Sequence, residues 1–201
     1  MGIIIRLAAF DDAKYCADIH AKSWSFAYNG IVPKSIIDTQ NARWPMIWDK
    51  MLTNNTNSHY VIVFNSIIIG FLTIAVSRDA DLKEHFYEIV GLYLDPVYIG
   101  VGYGKQAMDW IKKEIKSRGY EKISLWVLEE NNSARRFYEK SGFVADGKIN
   151  QAVLPMLEKL DIYLNAIFKE NPRFSPDSFL NNRHKNPSDD SLRDFYFLSH
   201  I

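Results

Sequence analysis

The chain predicts an α/β or α+β domain built on a mixed sheet, and three features point there. Short β-rich segments alternate with helix-length amphipathic ones, the pattern of a sheet covered by helices. The stretch Tyr60–Val76, YVIVFNSIIIGFLTIAV, divides into two β-branched runs around Asn65-Ser66, as a hairpin does. Gly100, Gly102 and Gly104 then fall on alternate residues between a strand-like run and a strongly periodic helix.

The elements follow in order. Ile3–Ala8 reads as a first strand. Asp11 or Asp12 can cap a helix to about Tyr28, with Ala13, Cys16, Ile19 and Ser23 on one stripe. A second helical region, Pro33–Leu52, is expected to break near Asn41–Pro45, because proline removes a helical hydrogen bond. After the hairpin comes a charged turn, SRDADLKEH. The strand Phe86–Leu94 (FYEIVGLYL) follows, ended by Asp95-Pro96. Gly104–Arg118 is a helix through Ala107, Met108, Ile111 and Ile115, with Gly119 as its C′ residue. Lys122–Leu128 is a strand, Asn131–Ser141 a short helix stopped by Gly142, FVADG the start of a strand, and Lys159–Leu164 the last strand. Beyond Asn165 the composition turns loop-like, with Pro172, Pro176 and Pro187, although Phe174, Phe179 and DFYFLSHI argue that part of it packs. The expected division is a domain over 1–164 and a C-terminal extension of unknown role over 165–201.

Of the 201 residues, 47% are hydrophobic and 24% charged, enough apolar material for a core. Basic and acidic residues balance at 24 each, so no global field gathers nucleic acid or an anionic membrane, and neither is expected as a partner. A single cysteine, Cys16, excludes an intrachain disulfide and a cysteine-based zinc site, and suits a reducing cytoplasm. MGIIIRLAAFDD has too short an apolar run for a secretory signal, and Arg6 stands where a myristoylation motif wants Ser or Thr. Tyr60–Val76 is marginal for a membrane span and is better explained by two strands. A soluble, cytoplasmic protein is expected.

Successive backbone N–H groups in a glycine turn, continued by the free N–H groups of a helix start, form an anion-binding nest. An ordinary tight turn is the alternative. A dinucleotide fingerprint fails because Lys105 occupies the last glycine slot, and a P-loop fails at Gly104-Lys105-Gln106.

A second cluster, NNSARRFYEKSGF (Asn131–Phe143), joins the glycine stretch in order along the chain. Together they resemble the GNAT superfamily of acetyl-CoA-dependent N-acetyltransferases. The family's phosphate motif, Gln/Arg-x-x-Gly-x-Gly/Ala, corresponds to Ile99–Gly104. Its downstream motif is matched by Asn131, Ala134, Phe137, Tyr138, Glu139, Lys140, Gly142 and Phe143. EIVGLYLDP resembles the family's central strand, and IHAKSWSFAYNGIVP its first-helix region. The resemblance covers about residues 3–164.

The resemblance implies a mostly antiparallel sheet flanked by helices and splayed between its fourth and fifth strands. Peptide groups of Leu92 and Leu94 would hold the pantetheine arm, with Gly91 as a bulge that aims them or a glycine placed for packing. Ile99, Gly100, Val101, Gly102, Tyr103 and Gly104 would hold the diphosphate, and Asn131, Ala134, Phe137 and Tyr138 would approach the cofactor from the short helix. Ile99 stands where Gln or Arg is usual and Val101 where a cation is common, so weaker cofactor binding is expected. Lys105 is either a substitute cation or a solvated helix lysine, and Arg135 and Arg136 divide the same way. Tyr138 is the implied general acid, or else a buried tyrosine. Asn131 or Asn132 can simply cap the short helix, the default role of Asn there, while the resemblance implies Asn131 in the cofactor site and leaves Asn132 or Ser133 to cap. Glu88 is the base candidate, or else a half-exposed strand glutamate. Trp24 and Tyr28, with Trp44 and Trp48, are candidate walls of the acceptor site, although their spacing also suits a core. Cys16 and His20 read as packing or surface residues.

The implied function is acetyl transfer from acetyl-CoA to a primary amine by direct attack in a ternary complex, with no metal. A small-molecule or peptide amine is the expected acceptor, and a homodimer is a compatible assembly. The rivals are a catalytically silent acyl-CoA-binding module and a nucleotide-binding module without acetyl chemistry.

Overall fold

The computed structural model describes residues 2–54, 58–79, 82, 86–151 and 163–168. Strands β1 (Ile4–Leu7), β2 (Ser58–Phe64), β3 (Ile67–Val76), β4 (Phe86–Leu94), β5 (Lys122–Leu128), β6 (Val144–Gln151) and β7 (Tyr163–Phe168) form one seven-stranded sheet in the order β1-β2-β3-β4-β5-β7-β6. Every neighbouring pair is antiparallel except β4 with β5. Helices α1 (Ala13–Ala27), α2 (Lys34–Asn54), α3 (Tyr103–Ser117) and α4 (Asn132–Lys140) complete the fold.

The hairpin turn falls where expected. Asn65 (φ 48°) and Ser66 (φ 64°) are both left-handed, as the two-residue turn matching strand twist requires. Alternation along β2 and β3 then sends Val61 and Phe71 to one face and Ile62, Leu72 and Ile74 to the other. The first face packs against α1 and α2 through Cys16, Ile19, Trp24, Trp44, Ile47 and Trp48. The second packs against α3 through Ala107, Met108, Ile111 and Ile115.

Two local expectations are corrected. Helix α2 does not break at Asn41–Pro45 but runs through Pro45 to Asn54. A mid-helix proline costs about 3 kcal/mol. Trp44, Ile47 and Trp48, each about 1% exposed, lie on either side of Pro45. Burial of side chains that size, at about 1.5–3 kcal/mol each, outweighs the missing bond. Asp12 stands at the α1 N-cap position, yet its carboxylate makes no cap there. It accepts instead from the Ala9 N–H (2.7 Å) and from Arg6 (2.6 Å), which holds it below the usual carboxylate range.

Among the described residues the last strand is β7, Tyr163–Phe168, so the sheet continues past residue 164. The rest of the segment expected as an extension, and most of the charged turn before β4, lie outside the described residues.

Candidate functional site

Strands β4 and β5 pair in parallel from Phe86↔Lys122 to Ile89↔Leu125, and among the described residues they pair no further. β4 nevertheless continues to Leu94 and stays bonded to β3 as far as Gly70↔Leu94. The two central strands therefore part company beyond Ile89. A bulge marks the place. Ile74 faces Ile89 while Thr73 faces Gly91, leaving Val90 as the extra residue.

The direction of the exposed peptide groups follows from one bond. The Asp95 N–H donates to the Ile69 carbonyl at 2.8 Å, so residue 95 faces β3. Peptide groups alternate sides along a strand, so Tyr93 also faces β3, and Leu92 and Leu94 face the gap. One of these groups is already engaged: the Ser23 hydroxyl of α1 donates to the Leu94 carbonyl at 2.8 Å.

The glycine stretch lies just beyond. Asp95 caps a short 3₁₀ turn, Pro96–Tyr98, accepting from the Val97 N–H. Gly100 (φ 87°) and Gly102 (φ 94°) are left-handed, and a Cβ on either would meet nothing within 4 Å. Their glycines answer a backbone requirement and leave open space above the turn. Gly102 is the α3 N-cap, and the Gln106 N–H is bonded to its carbonyl at 3.2 Å. The amides of Tyr103, Gly104 and Lys105 precede that bond, and Gly102 has no side chain to cap them. Gly104 serves a different purpose. A Cβ there would lie 3.3 Å from the Phe137 ring, so its absence lets α4 approach α3. Ile99 and Val101 are exposed, and Lys105 is ion-paired to Asp109 at 2.7 Å.

Asn131 caps α4, its side-chain oxygen accepting from the Ala134 N–H at 3.1 Å. Of the two readings of Asn131, the cap is the one seen, and neither Asn132 nor Ser133 takes that place. Asn131 sits where the first free amides of the helix are in reach, and its amide nitrogen is left out of the cap. Arg135 is spent locally on the Glu129 carbonyl at 3.1 Å. One turn on, Tyr138 packs edge-on to Phe137 and Phe143. Burial pushes its phenol well above the ordinary tyrosine value, and the proximity of Tyr93 adds to this. Tyr93 and Tyr28 lie close enough to influence each other, and burial raises both. Tyr28 just after α1, Tyr93 on β4 and Tyr138 on α4 are thus near enough to act on one another.

On the α1–α2 face the aromatic residues form core. Trp24, Trp44 and Trp48 are buried, as is Tyr28. His20 stacks on Trp44 at 3.5 Å between centroids, and its Nδ1 accepts from the Trp48 Nε1–H at 3.3 Å. Burial holds His20 well below its usual value, so it is neutral. Cys16 is buried too, its thiol pushed up to about 12, which leaves it inert. Glu88 is not half-exposed but 1% exposed, and both its oxygens are bonded by the Arg78 guanidinium, with the Arg78 N–H adding a third contact at 3.1 Å. Its register partner Ser124 is fully buried, and the Ser124 hydroxyl has no partner among the described residues.

Sequence reasoning placed the glycine turn, Tyr138 and the gap-facing leucines around one opening. It missed Ser23, Tyr93 and Arg78. A hydroxyl on the apolar stripe of α1 was the available signal for Ser23. Arg78 had none, being one charge in a charged turn. Among the described residues no group of three His, Cys, Asp or Glu side chains could hold a metal ion, and no helix is long and apolar enough to cross a membrane.

Residues 17–143 match the family model described as the Acetyltransferase (GNAT) family. The chain is 40% identical over 76 residues to an uncharacterised N-acetyltransferase of Bacillus subtilis, covering 38% of this chain and 47% of that one. It is 33% identical over 96 residues to the ribosomal protein bS18 alanine N-acetyltransferase of Haemophilus influenzae, covering 46% and 60%. It therefore spans about half of the curated relatives it matches. Among solved structures, the PaiA N-acetyltransferase of Thermoplasma acidophilum in complex with coenzyme A is similar in fold. The TM-score is 0.63 at 21% identity, over 85% of this chain and 100% of that one. The Salmonella typhimurium protein YncA, with its cofactor acetyl-CoA, gives 0.60 at 16% identity over 89% and 100%.

Proposed function

This chain belongs to the GNAT acetyltransferase family, and we propose that it transfers an acetyl group from acetyl-CoA to a primary amine by direct attack in a ternary complex. The observation that carries the proposal is the join of two features: strands β4 and β5 parting beyond Ile89, and a side-chain-free turn at Gly100 and Gly102 opening onto the α3 N-terminus.

The residues fit that cofactor. The open space over Gly100 and Gly102 and the leading amides of α3 suit a diphosphate, which needs several N–H donors and no intervening Cβ. Apolar side chains at Ile99 and Val101 leave this job to the backbone. Gap-facing groups of Leu92 and Leu94 offer an open strand edge to the amide-bearing arm. The thioester supplies an activated acetyl group with a thiolate leaving group.

The remaining steps belong to the chain's own side chains. Tyr138 is the proposed acid, holding a proton for the departing sulfur. Glu88 is the proposed proton acceptor for the amine, which must be neutral to attack. Both Glu88 oxygens are held by Arg78, so an oxygen must be released, or a water must relay the proton, before the acceptor role operates. Glu88→Gln should lower kcat/KM by about tenfold, below the usual range for a direct base because of that relay. It should also remove the acidic limb of the pH–rate profile. An unchanged profile would place the base elsewhere.

The proposal as a whole is tested by thiol release from acetyl-CoA with a panel of peptide N-termini, lysine, polyamines and aminoglycosides. Release that depends on one class of amine supports it. Tight binding of acetyl-CoA without turnover on any of them favours a silent acyl-CoA-binding module.

A further inference from the structure

We infer that Ser23 is a positioning residue that latches the acceptor-side helix α1 to the cofactor edge of β4, readying the Leu94 peptide for an acetyl-CoA arm. The inference rests on the acetyltransferase reading above. Ser23 is 5% exposed, and its hydroxyl donates to the Leu94 carbonyl at 2.8 Å, across 71 residues of sequence. The same peptide unit is held on its other side, where the Asp95 N–H donates to the Ile69 carbonyl at 2.8 Å. Both ends of that peptide plane are thus fixed, by a helix on one side and a strand on the other. Neighbouring contacts reinforce the tie. Lys22 reaches the Asp95 carboxylate at 3.3 Å, and the other Asp95 oxygen caps the turn into the glycine stretch.

The chemical consequence concerns the gap. Leu94 faces it with one donor and one acceptor, and Ser23 occupies the acceptor. An uncapped carbonyl there would present negative partial charge to the amide and thioester oxygens of an arriving arm. With the hydroxyl in place, Leu94 offers the gap chiefly its N–H. The Leu94 N–H belongs to the preceding Tyr93–Leu94 peptide and shares the Leu94 Cα with the fixed plane, so the latch restrains it through that Cα and less ordering opposes binding. The Lys22 pair is half-exposed and adds little by itself.

The experiment compares two ligands by calorimetry: acetyl-CoA, which spans turn and gap, and ADP, which carries the diphosphate and stops at the turn. Ser23→Ala should weaken acetyl-CoA by roughly tenfold, the scale of one lost hydrogen bond, and leave ADP within twofold. Ser23→Thr, which keeps the hydroxyl, should stay within threefold of wild type for both. Equal losses for the two ligands, no loss for either, or a threonine variant as weak as the alanine one would overturn the latch alone. Wild-type protein that binds no acetyl-CoA would overturn the acetyltransferase reading and the latch with it.

Discussion

Gly102→Glu is expected to abolish acetyl-CoA binding, a loss of at least a hundredfold by calorimetry, while the far-UV circular dichroism stays that of the wild type. Two costs arise, one on stability and one on affinity. Gly102 sits at φ 94°, where a residue with a Cβ is strained by about 1–2 kcal/mol, with or without ligand. The new carboxylate also enters the open space over the turn, where the diphosphate is proposed to lie. Two like charges at about 4 Å repel by about 1 kcal/mol in water and about 4 kcal/mol near a protein surface. Each 1.4 kcal/mol is about a factor of ten in affinity, so a repulsion of about 4 kcal/mol exceeds a hundredfold by itself. Gly102→Ala carries the strain without the charge and should lower the melting temperature while leaving the dissociation constant within about threefold. If the glutamate variant binds normally, the turn is not the diphosphate site.

Tyr138→Phe should lower kcat about a hundredfold with the acetyl-CoA dissociation constant within twofold of wild type. The aromatic packing with Phe137 and Phe143 is kept and only the hydroxyl is lost, so a fall in both turnover and affinity would argue for a binding role instead. A hundredfold is the lower end of what a positioned acid contributes. Free phenol and thiol titrate at about 10 and about 8.5, so delivery of the proton is close to balanced in water. Burial raises Tyr138 and would unbalance the exchange if it acted on the phenol alone. Burial acts on thiols in the same direction, as it pushes Cys16 up to about 12, so a thiolate leaving in an enclosed place demands the proton more strongly. The sign for pH follows. A raised phenol stays protonated through neutral and mildly alkaline assays, and the wild-type rate should show no alkaline limb arising from Tyr138.

Much of the fold was legible because it rests on short-range patterns. Residues 86–94 and 122–128 were read as strands with the bounds the structure gives them, and Asn65-Ser66 as a turn, since two-residue periodicity and local turn chemistry act within a few residues. The glycines were legible for the same reason, because positive φ at Gly100 and Gly102 is a local demand. Helix α2 was misread at Pro45 because the compensation lies in distant partners: the buried tryptophans meet α1 and β3, not one another along the chain.

The site divides along the same line. Sequence alone determined that a glycine turn leads into α3, that Tyr138 stands on the inner face of a short helix, and that Leu92 and Leu94 share one side of a strand. Those properties depend on neighbours in the chain. Only the tertiary structure decided that Arg78 holds Glu88 and that Ser23 caps Leu94. Contacts of that kind join residues far apart in sequence. No local periodicity encodes them, because they are set by how two helices and a splayed sheet pack in space.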